Sequence, residues 1–598
     1  MCGISGFNFK DVELLELMNK RMSHRGPDFS GTYHSPEFSL GHVLLSIRGE
    51  RSRSHQPVFE KHSDWVMVFN GEVYNTSEIK SLLRQEYQDE DVDTFLIYGL
   101  VKKYGWDFVK YINGMYLIAL YNKREGVVRL YRDPSGQKHS YYYHKNGKFL
   151  FSSEIYSLTS FNQIDKELDV ESIEMSTILG YIPGNRTIFK HIRKIRVGEV
   201  LTFNLKENKL TLEVPQYFSD EFKNLNPNEV MTKNMRIHLQ SHEQMAINLS
   251  GGMDSSSIFI EAMNQVKNIN VYTTFFDLDN PVYRQDPMIA EQLAKDYGAK
   301  FTPLFFTHRD YIDNFVDAYS FVEEPNYNTA LPLYLFVAKK EGAMGDKNRV
   351  VFSGDGGDEL FGGYDYYKSK NSYIDKNINK YGSFIYNTVR CLKQGFWLDH
   401  NDFSQRYGMF KFFKTKYNKH PEKRHYRYLE DVSSHYKDYF LKKKGSIYNT
   451  MLQDRLFWLP AENFNRNDKL YMSQSIELRA PLSYHPLRTY FDAMLGEDEY
   501  MNMKTNKLFM RKIYSNLLPD YIVNREEKWG WHPPIKYWYN KESKNLFLDI
   551  LSDFRSSDSF LNWNSVFDYV ESSEEWPKKE VYIYLSLAIL FKKFSIKA

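Results

Sequence analysis

Apolar residues follow two different rhythms along this chain. Up to about residue 205 they form short runs, at Trp65–Phe69, Met115–Tyr121 and Val127–Tyr131, punctuated by Asn70-Gly71 and Asn113-Gly114. Runs of this kind predict strands joined by turns. One stretch keeps a helical period: Leu14, Leu15, Leu17 and Met18 share a face over Val12–Met22. After about residue 220, strand-like runs at Ala246–Leu249, Val271–Phe276 and Val350–Phe352 alternate with helical stretches, the first being Ile258–Val266. That alternation predicts a parallel sheet with helices on its faces. The change of rhythm places a linker in or near Lys206–Pro227 and divides the chain into 1–210 and 220–598. Beyond about residue 365 the pattern is mostly helical. A Lys- and Tyr-rich stretch there, Tyr364 to Lys444 with Lys442-Lys443-Lys444, reads as a solvated helical face.

Length and composition narrow the function classes. At 598 residues the chain can build at least two cores. Lys plus Arg number 78 against 76 Asp plus Glu, which offers no electrostatic basis for binding nucleic acid or a membrane surface. The two cysteines, Cys2 and Cys391, are too few for a disulfide framework and point to a reducing compartment. No apolar run approaches the roughly 18 residues that span a bilayer. Asp11, Glu13, Glu16, Lys20 and Arg21 precede any sizeable apolar stretch, which argues against a signal peptide. The expected address is the cytoplasm.

Three strings carry chemistry. Cys2 follows the initiator, so removal of Met1 would set its thiol beside its own α-amine. A thiol with an adjacent amine is a nucleophile and its base in one residue. The second string, Leu249-Ser250-Gly251-Gly252-Met253-Asp254-Ser255-Ser256-Ser257, follows a strand and opens a helix. Its glycines allow close approach to phosphate oxygens, and helix N-terminal N–H groups face an anion. Asp254 beside phosphates calls for Mg²⁺ between them. The third, Ser353-Gly354-Asp355-Gly356-Gly357-Asp358-Glu359, also follows an apolar strand and carries further carboxylates suited to Mg²⁺. No Gly-Lys-Ser/Thr follows either loop, so neither is a Walker A loop.

These strings support a resemblance covering most of the chain, from Cys2 to about Trp531. Cys2-Gly3-Ile4-Ser5-Gly6, His24-Arg25-Gly26-Pro27-Asp28, Phe69-Asn70-Gly71-Glu72-Val73-Tyr74-Asn75, Arg132-Asp133 and Ser153-Glu154 resemble the glutaminase domain of class II amidotransferases. The loop at residue 250 resembles the PP-loop of ATP pyrophosphatases. The loop at 353–364, with Asn467-Asp468-Lys469, Met472, Glu477-Leu478-Arg479-Ala480-Pro481, Lys507 and Arg511, resembles the asparagine synthetases.

The resemblance implies an α/β protein. An N-terminal αββα Ntn-hydrolase sandwich would precede an α/β PP-loop ATP pyrophosphatase domain with a helical C-terminal part. It implies glutamine hydrolysis at Cys2, an oxyanion hole from Asn70 and Gly71, and glutamine contacts from Asn70, Glu72 and Asp93, with Arg48 a further candidate for the glutamine carboxylate. ATP would meet Leu249, Ser250, Gly251, Gly252, Asp254, Ser255, Phe276, Ser353 and Gly354, and Mg²⁺ would meet Asp254 and Asp358. Asp355 and Lys507 would act where the acyl-adenylate meets ammonia. The partners so implied are glutamine, ATP and aspartate or another carboxylate; a homodimer is compatible with the resemblance.

Four departures qualify the match. Leu44 stands where the family has the arginine that grips the glutamine carboxylate, and Arg48 lies four residues on. On one straight strand those two positions would be about 13 Å apart, so substitution by Arg48 requires the chain to bend. Asp355 stands where many members have Glu, and Ser483-Tyr484 replaces the usual Leu-Asp. Asn328, in Glu323–Pro332, stands where some members have an arginine thought to hold aspartate. Arg479 is one candidate to supply that charge from elsewhere, and an acceptor other than aspartate, such as a sugar uronate, is the alternative.

Overall fold

The computed structural model describes residues 2–596 except 50, 84, 216, 218, 242, 344–347, 369–445, 527–530, 556–559 and 580. Most of the Lys- and Tyr-rich stretch, with Lys442-Lys443-Lys444 and Cys391, lies outside the described residues.

The first half holds twelve strands: β1 (Cys2–Phe7), β2 (Phe29–His34), β3 (Ser39–Leu44), β4 (Val58–Phe59), β5 (Trp65–Val73), β6 (Gly114–Asn122), β7 (Val127–Arg132), β8 (Tyr141–Lys145), β9 (Lys148–Ser152), β10 (Ile192–Lys194), β11 (Val200–Asn204) and β12 (Lys209–Glu213). They form two six-stranded sheets, β10-β8-β9-β1-β3-β2 and β12-β11-β7-β6-β5-β4. Neighbours whose registers are resolved run antiparallel, as in β1 with β3 and β5 with β6.

Three apolar layers account for the stack. Ile4, Leu40, Val66, Val68, Leu117 and Ala119 pack between the sheets. Met67, Phe69, Tyr116 and Ile118 face the other way, onto Leu96, Ile97 and Leu100 of the helix Asp93–Tyr104. On the opposite side Leu14, Leu15 and Met18 of the helix Val12–Arg21 join Tyr141, Tyr143 and Leu150. The result is an αββα sandwich of the Ntn-hydrolase type. Both faces of β5 and β6 are buried, which is why their sequences read as continuous apolar runs.

The second half is built on a parallel sheet, β15-β14-β13-β16-β17. Its strands are β13 (Met245–Asn248), β14 (Asn270–Phe276), β15 (Lys300–Phe306), β16 (Val350–Phe352) and β17 (Glu477–Arg479). Helices Met253–Met263, Pro281–Asp296 and Leu331–Ala343 connect or cover it, and helices predominate after residue 446. This is the α/β arrangement expected, with its helical C-terminal part.

Two local expectations need correction. The helix after the first loop starts at Met253 rather than Ile258, because Gly252 already occupies its N-cap. The proposed linker Lys206–Pro227 overlaps the β11–β12 hairpin, and β12 pairs Lys209–Glu213 against Val200–Asn204. The next helix begins at Pro227, capped by Asn226 with a reciprocal Glu229 contact.

Candidate active sites

Cys2 opens β1 and is buried, cross-strand from Leu44. Its backbone N donates to Asn70 Oδ1 at 2.9 Å. That contact orients the Asn70 amide and leaves its buried Nδ2 without a hydrogen-bond partner among the described residues. A buried donor left open beside a nucleophile suits a developing oxyanion. Gly71 follows on β5, where a Cβ would fall 2.1 Å from the Met115 carbonyl oxygen, so only glycine fits. Burial pushes the Cys2 thiol up, while the chain's α-amine and a Leu45 backbone contact lower it. A neutral thiol at rest leaves proton removal to a neighbouring base, a task for the α-amine once Cys2 is terminal.

The glutamine-pocket candidates converge. β3 ends at Leu44, and Gly49, in the left-handed region at φ +65°, turns the chain after Arg48. With the strand ended four residues earlier, Arg48 Nη1 donates to Glu72 Oε1 at 2.8 Å and to the Val73 carbonyl at 3.3 Å. Asp93 opens its helix and accepts from Val73 N at 3.1 Å. Burial raises the Asp93 carboxyl, and Arg48 opposes that rise. Burial also pushes Glu72 up to about 7, against the pull of Arg479 and Arg48. The bend therefore brings Arg48 to the other glutamine-binding candidates, while Leu44 stays in the core at 3% exposure.

The second site lies at the C-terminal ends of β13 and β16. Gly251 has φ +72°, and a Cβ there would lie 2.7 Å from the Asp286 carbonyl oxygen. Ser250 and Ser255 hydroxyls sit 2.9 Å apart across the turn, leaving the N-terminus of the helix Met253–Met263 behind them. Ser353-Gly354 packs against this loop: a Cβ on Gly354 would lie 2.9 Å from Ser255 N. Phe276 ends β14, half-buried and edge-on to Tyr283 and Trp538.

Asp254 and Asp358 come from different loops and converge on one ammonium. Lys507 Nζ contacts Asp254 and lies 2.5 Å from Asp358 Oδ1. Two carboxylate oxygens gathered around one cationic point fit a divalent ion of the Mg²⁺ class, whose ligands are oxygens. Lys507 has a left-handed backbone, φ +57°, at the N-cap of the helix Leu508–Tyr514. Asp355 is held firmly: Ser353 Oγ donates to Oδ2 at 2.6 Å, Asn463 Nδ2 to Oδ1 at 3.0 Å and Asn467 Nδ2 to Oδ2 at 2.8 Å. The shorter acid is thus met by amides that reach toward it.

Sequence reasoning missed Asn463 and Arg466. Asn463 and Asn467 are four apart, a helical same-face spacing that was available as a signal. Arg466 is buried at 3% exposure, lies 4.0 Å over the Tyr334 ring and ion-pairs with Glu462 at 3.3 Å. Asn328 Nδ2 donates to the same Glu462 oxygen at 2.9 Å. Arg479, the candidate for that charge, sits elsewhere: it faces Glu477 and Glu72, beside the glutaminase pocket.

Sandwich, nucleophile and pyrophosphate loop together define a glutamine amidotransferase joined to an ATP-using ligase. Residues 1–218 match the glutamine amidotransferase domain family, and residues 228–590 match the asparagine synthase family. The chain belongs to the glutamine-hydrolysing asparagine synthetase family. It is 26% identical over 607 residues to asparagine synthetase [glutamine-hydrolyzing] 1 of Bacillus subtilis, covering 96% of this chain and 93% of that one. A Methanocaldococcus jannaschii protein, provisionally named asparagine synthetase [glutamine-hydrolyzing] 2, is 31% identical over 399 residues, covering 61% of this chain and 76% of its own. Amidase chry2 of Gibberella zeae is 23% identical over 682 residues, covering 100% and 99%. No helix among the described residues is long and apolar enough to cross a membrane.

Proposed function

We propose that this protein is a glutamine-dependent asparagine synthetase. Cys2 attacks the glutamine amide, and Asn70 Nδ2 with the Gly71 N–H receives the oxyanion. Arg48 takes the glutamine α-carboxylate, and Glu72 with Asp93 takes the α-amine. Released ammonia is used at the second site. There ATP lies along Leu249–Ser255, Phe276, Ser353 and Gly354; the acceptor carboxylate attacks its α-phosphorus with loss of pyrophosphate, and ammonia then displaces AMP from the acyl-adenylate to give the amide. Asp254 and Asp358 would hold Mg²⁺, which supplies positive charge against the pyrophosphate. Lys507 stabilises the same charge, and Asp355 faces the reacting carbonyl and incoming ammonia.

The observation that carries aspartate as acceptor is Arg466. Aspartate has a second carboxylate, and burying it unpaired costs several kcal/mol. Arg466 Nη1 has no hydrogen-bond partner among the described residues, although the side chain is buried. Through Glu462 it is tied to Asn328, in the segment where the sequence lacks a cation. A guanidinium stacked on an aromatic ring, with donors to spare, suits a carboxylate.

The test offers aspartate, ATP, Mg²⁺ and glutamine, and follows asparagine, AMP and pyrophosphate. Asparagine should form with one AMP per amide, and Arg466→Leu should raise the aspartate KM at least about tenfold. Glutamate and pyrophosphate release without asparagine, with amidation of a uronate or another acid instead, would reverse the choice of acceptor.

A further inference from the structure

Arg479 belongs by sequence to the synthetase half, yet its side chain reaches the glutamine pocket. It closes β17, whose backbone pairs in parallel with β16, Phe352 opposite Arg479. Ser353 N donates to the Arg479 carbonyl at 3.0 Å, and Ser353 Oγ donates to Asp355. The backbone of Arg479 therefore holds the first residue of the acceptor loop.

The guanidinium points into the junction between the halves and is fully buried. Nε donates to Glu477 Oε1 at 2.6 Å. Nη1 donates to the His238 carbonyl and, at 2.9 Å, to the Gln240 carbonyl. Nη2 lies 3.2 Å from Glu72 Oε2, an ion-pair contact outside hydrogen-bond geometry. The other Glu72 oxygen is held by Arg48. Glu72 thus faces a cation at each oxygen, hydrogen-bonded by Arg48 and ion-paired with Arg479, one arginine from each half. A planar guanidinium anchored at three other points holds its charge in a fixed place facing that carboxylate.

We propose that Arg479 is a positioning residue for the glutaminase reaction, acting through Glu72. It sets the carboxylate that receives the glutamine α-amine, and it does so from the strand that also holds the acceptor loop. This inference rests on the glutamine-hydrolysis part of the proposed function and not on the identity of the acceptor. Without the Arg479 fork, Glu72 swings toward Arg48 alone, and the α-amine loses its aligned partner. Glutamine binding weakens while Cys2, Asn70 and Gly71 keep their places.

The experiment measures glutamate release from glutamine by the full-length enzyme, without acceptor, for Arg479→Lys, Glu72→Gln and the double variant. Arg479→Lys keeps a charge and loses the fork. Its glutamine KM should rise about tenfold with kcat within about threefold. In the Glu72→Gln background the same change should add less than about twofold, because the residue through which Arg479 acts is already disabled. Glu477→Gln frees the fork on its far side and serves if Arg479→Lys does not fold; it should raise the KM about threefold. An unchanged KM in whichever of these variants folds, or full multiplication of the effects in the double variant, overturns the proposal. Absence of glutamate release by the unaltered enzyme would instead overturn the glutaminase reading.

Discussion

Arg25 Nη2 donates to Asp468 Oδ2 at 2.8 Å, and its Nε donates to the Cys2 carbonyl at 3.1 Å. Asp468 stands next to Asn467, which holds Asp355. One buried arginine therefore ties the backbone of the nucleophile to the helix that fixes the acceptor loop. Burial disfavours the Arg25 charge, but Asp468 and Glu154 more than offset it and raise its pKa. The two candidate sites are linked through one ionic framework.

Cys2→Ala should abolish glutamine-dependent amide formation and leave ammonia-dependent synthesis within about threefold. Only the thiol is removed, and the Arg25 contact is to the backbone. Product formation with each nitrogen source checks this, and equal turnover on glutamine would remove Cys2 from the mechanism.

Asp254→Asn and Asp358→Asn should each lower pyrophosphate release about a hundredfold or more with either nitrogen source. Each change removes one of the two carboxylates around Lys507. Glutamate release without ATP should persist. Normal pyrophosphate release in both variants would mean the metal is held elsewhere.

Arg48→Ala should raise the glutamine KM about tenfold or more and spare ammonia use. The same variant should shift the pH dependence of glutamine use. Burial pushes Glu72 up to about 7, and Arg479 and Arg48 lower it, while Asp93 and Glu477 raise it. Removing Arg48 takes away one lowering influence, so the rise in kcat/KM as Glu72 ionises should move to higher pH. A glutamine profile that coincides with that of the unaltered enzyme would place Arg48 outside the pocket.

Glu341 provides a test on stability. Both its carboxylate oxygens are buried without a hydrogen-bond partner among the described residues, and burial raises its pKa well above the ordinary range. A raised carboxyl contributes stability fully below the ordinary glutamate range, and that contribution is lost as pH rises through the folded-state value. Alkaline conditions should therefore lower Tm more in the unaltered protein than in Glu341→Gln, which cannot ionise. Melting curves from pH 6 to about 10 would show it, and parallel declines would count against a protonated Glu341.

Both phosphate-side loops could be read directly from the chain because their signals are local. Gly251 and Gly252 sit where a strand turns into a helix, the geometry that suits an anion, and the residues of the turn are consecutive. The apolar runs that became β5, β6 and β7 were equally legible. β12 was not: its burial alternates along an exposed edge, with Leu210 and Leu212 only partly buried. Two apolar residues among charged ones do not announce a strand.

The sequence by itself determined the family, and it supplied Cys2 and the loop at residue 250 as candidates, together with most of the strands that present them. Each depends on neighbouring residues or on a short period. Tertiary structure decided where the candidate cations lie. Arg48 reaches Glu72 because β3 ends at Leu44 and the chain leaves the strand path before Arg48. Arg466 faces the acceptor segment through Glu462, which is 134 residues from Asn328 along the chain. Arg479 leaves the acceptor side for Glu72 because β17 lies at the edge of its sheet, against the glutaminase half. No spacing rule encodes such meetings, because buried charges find partners by where folding brings them, and that depends on the packing of both halves at once.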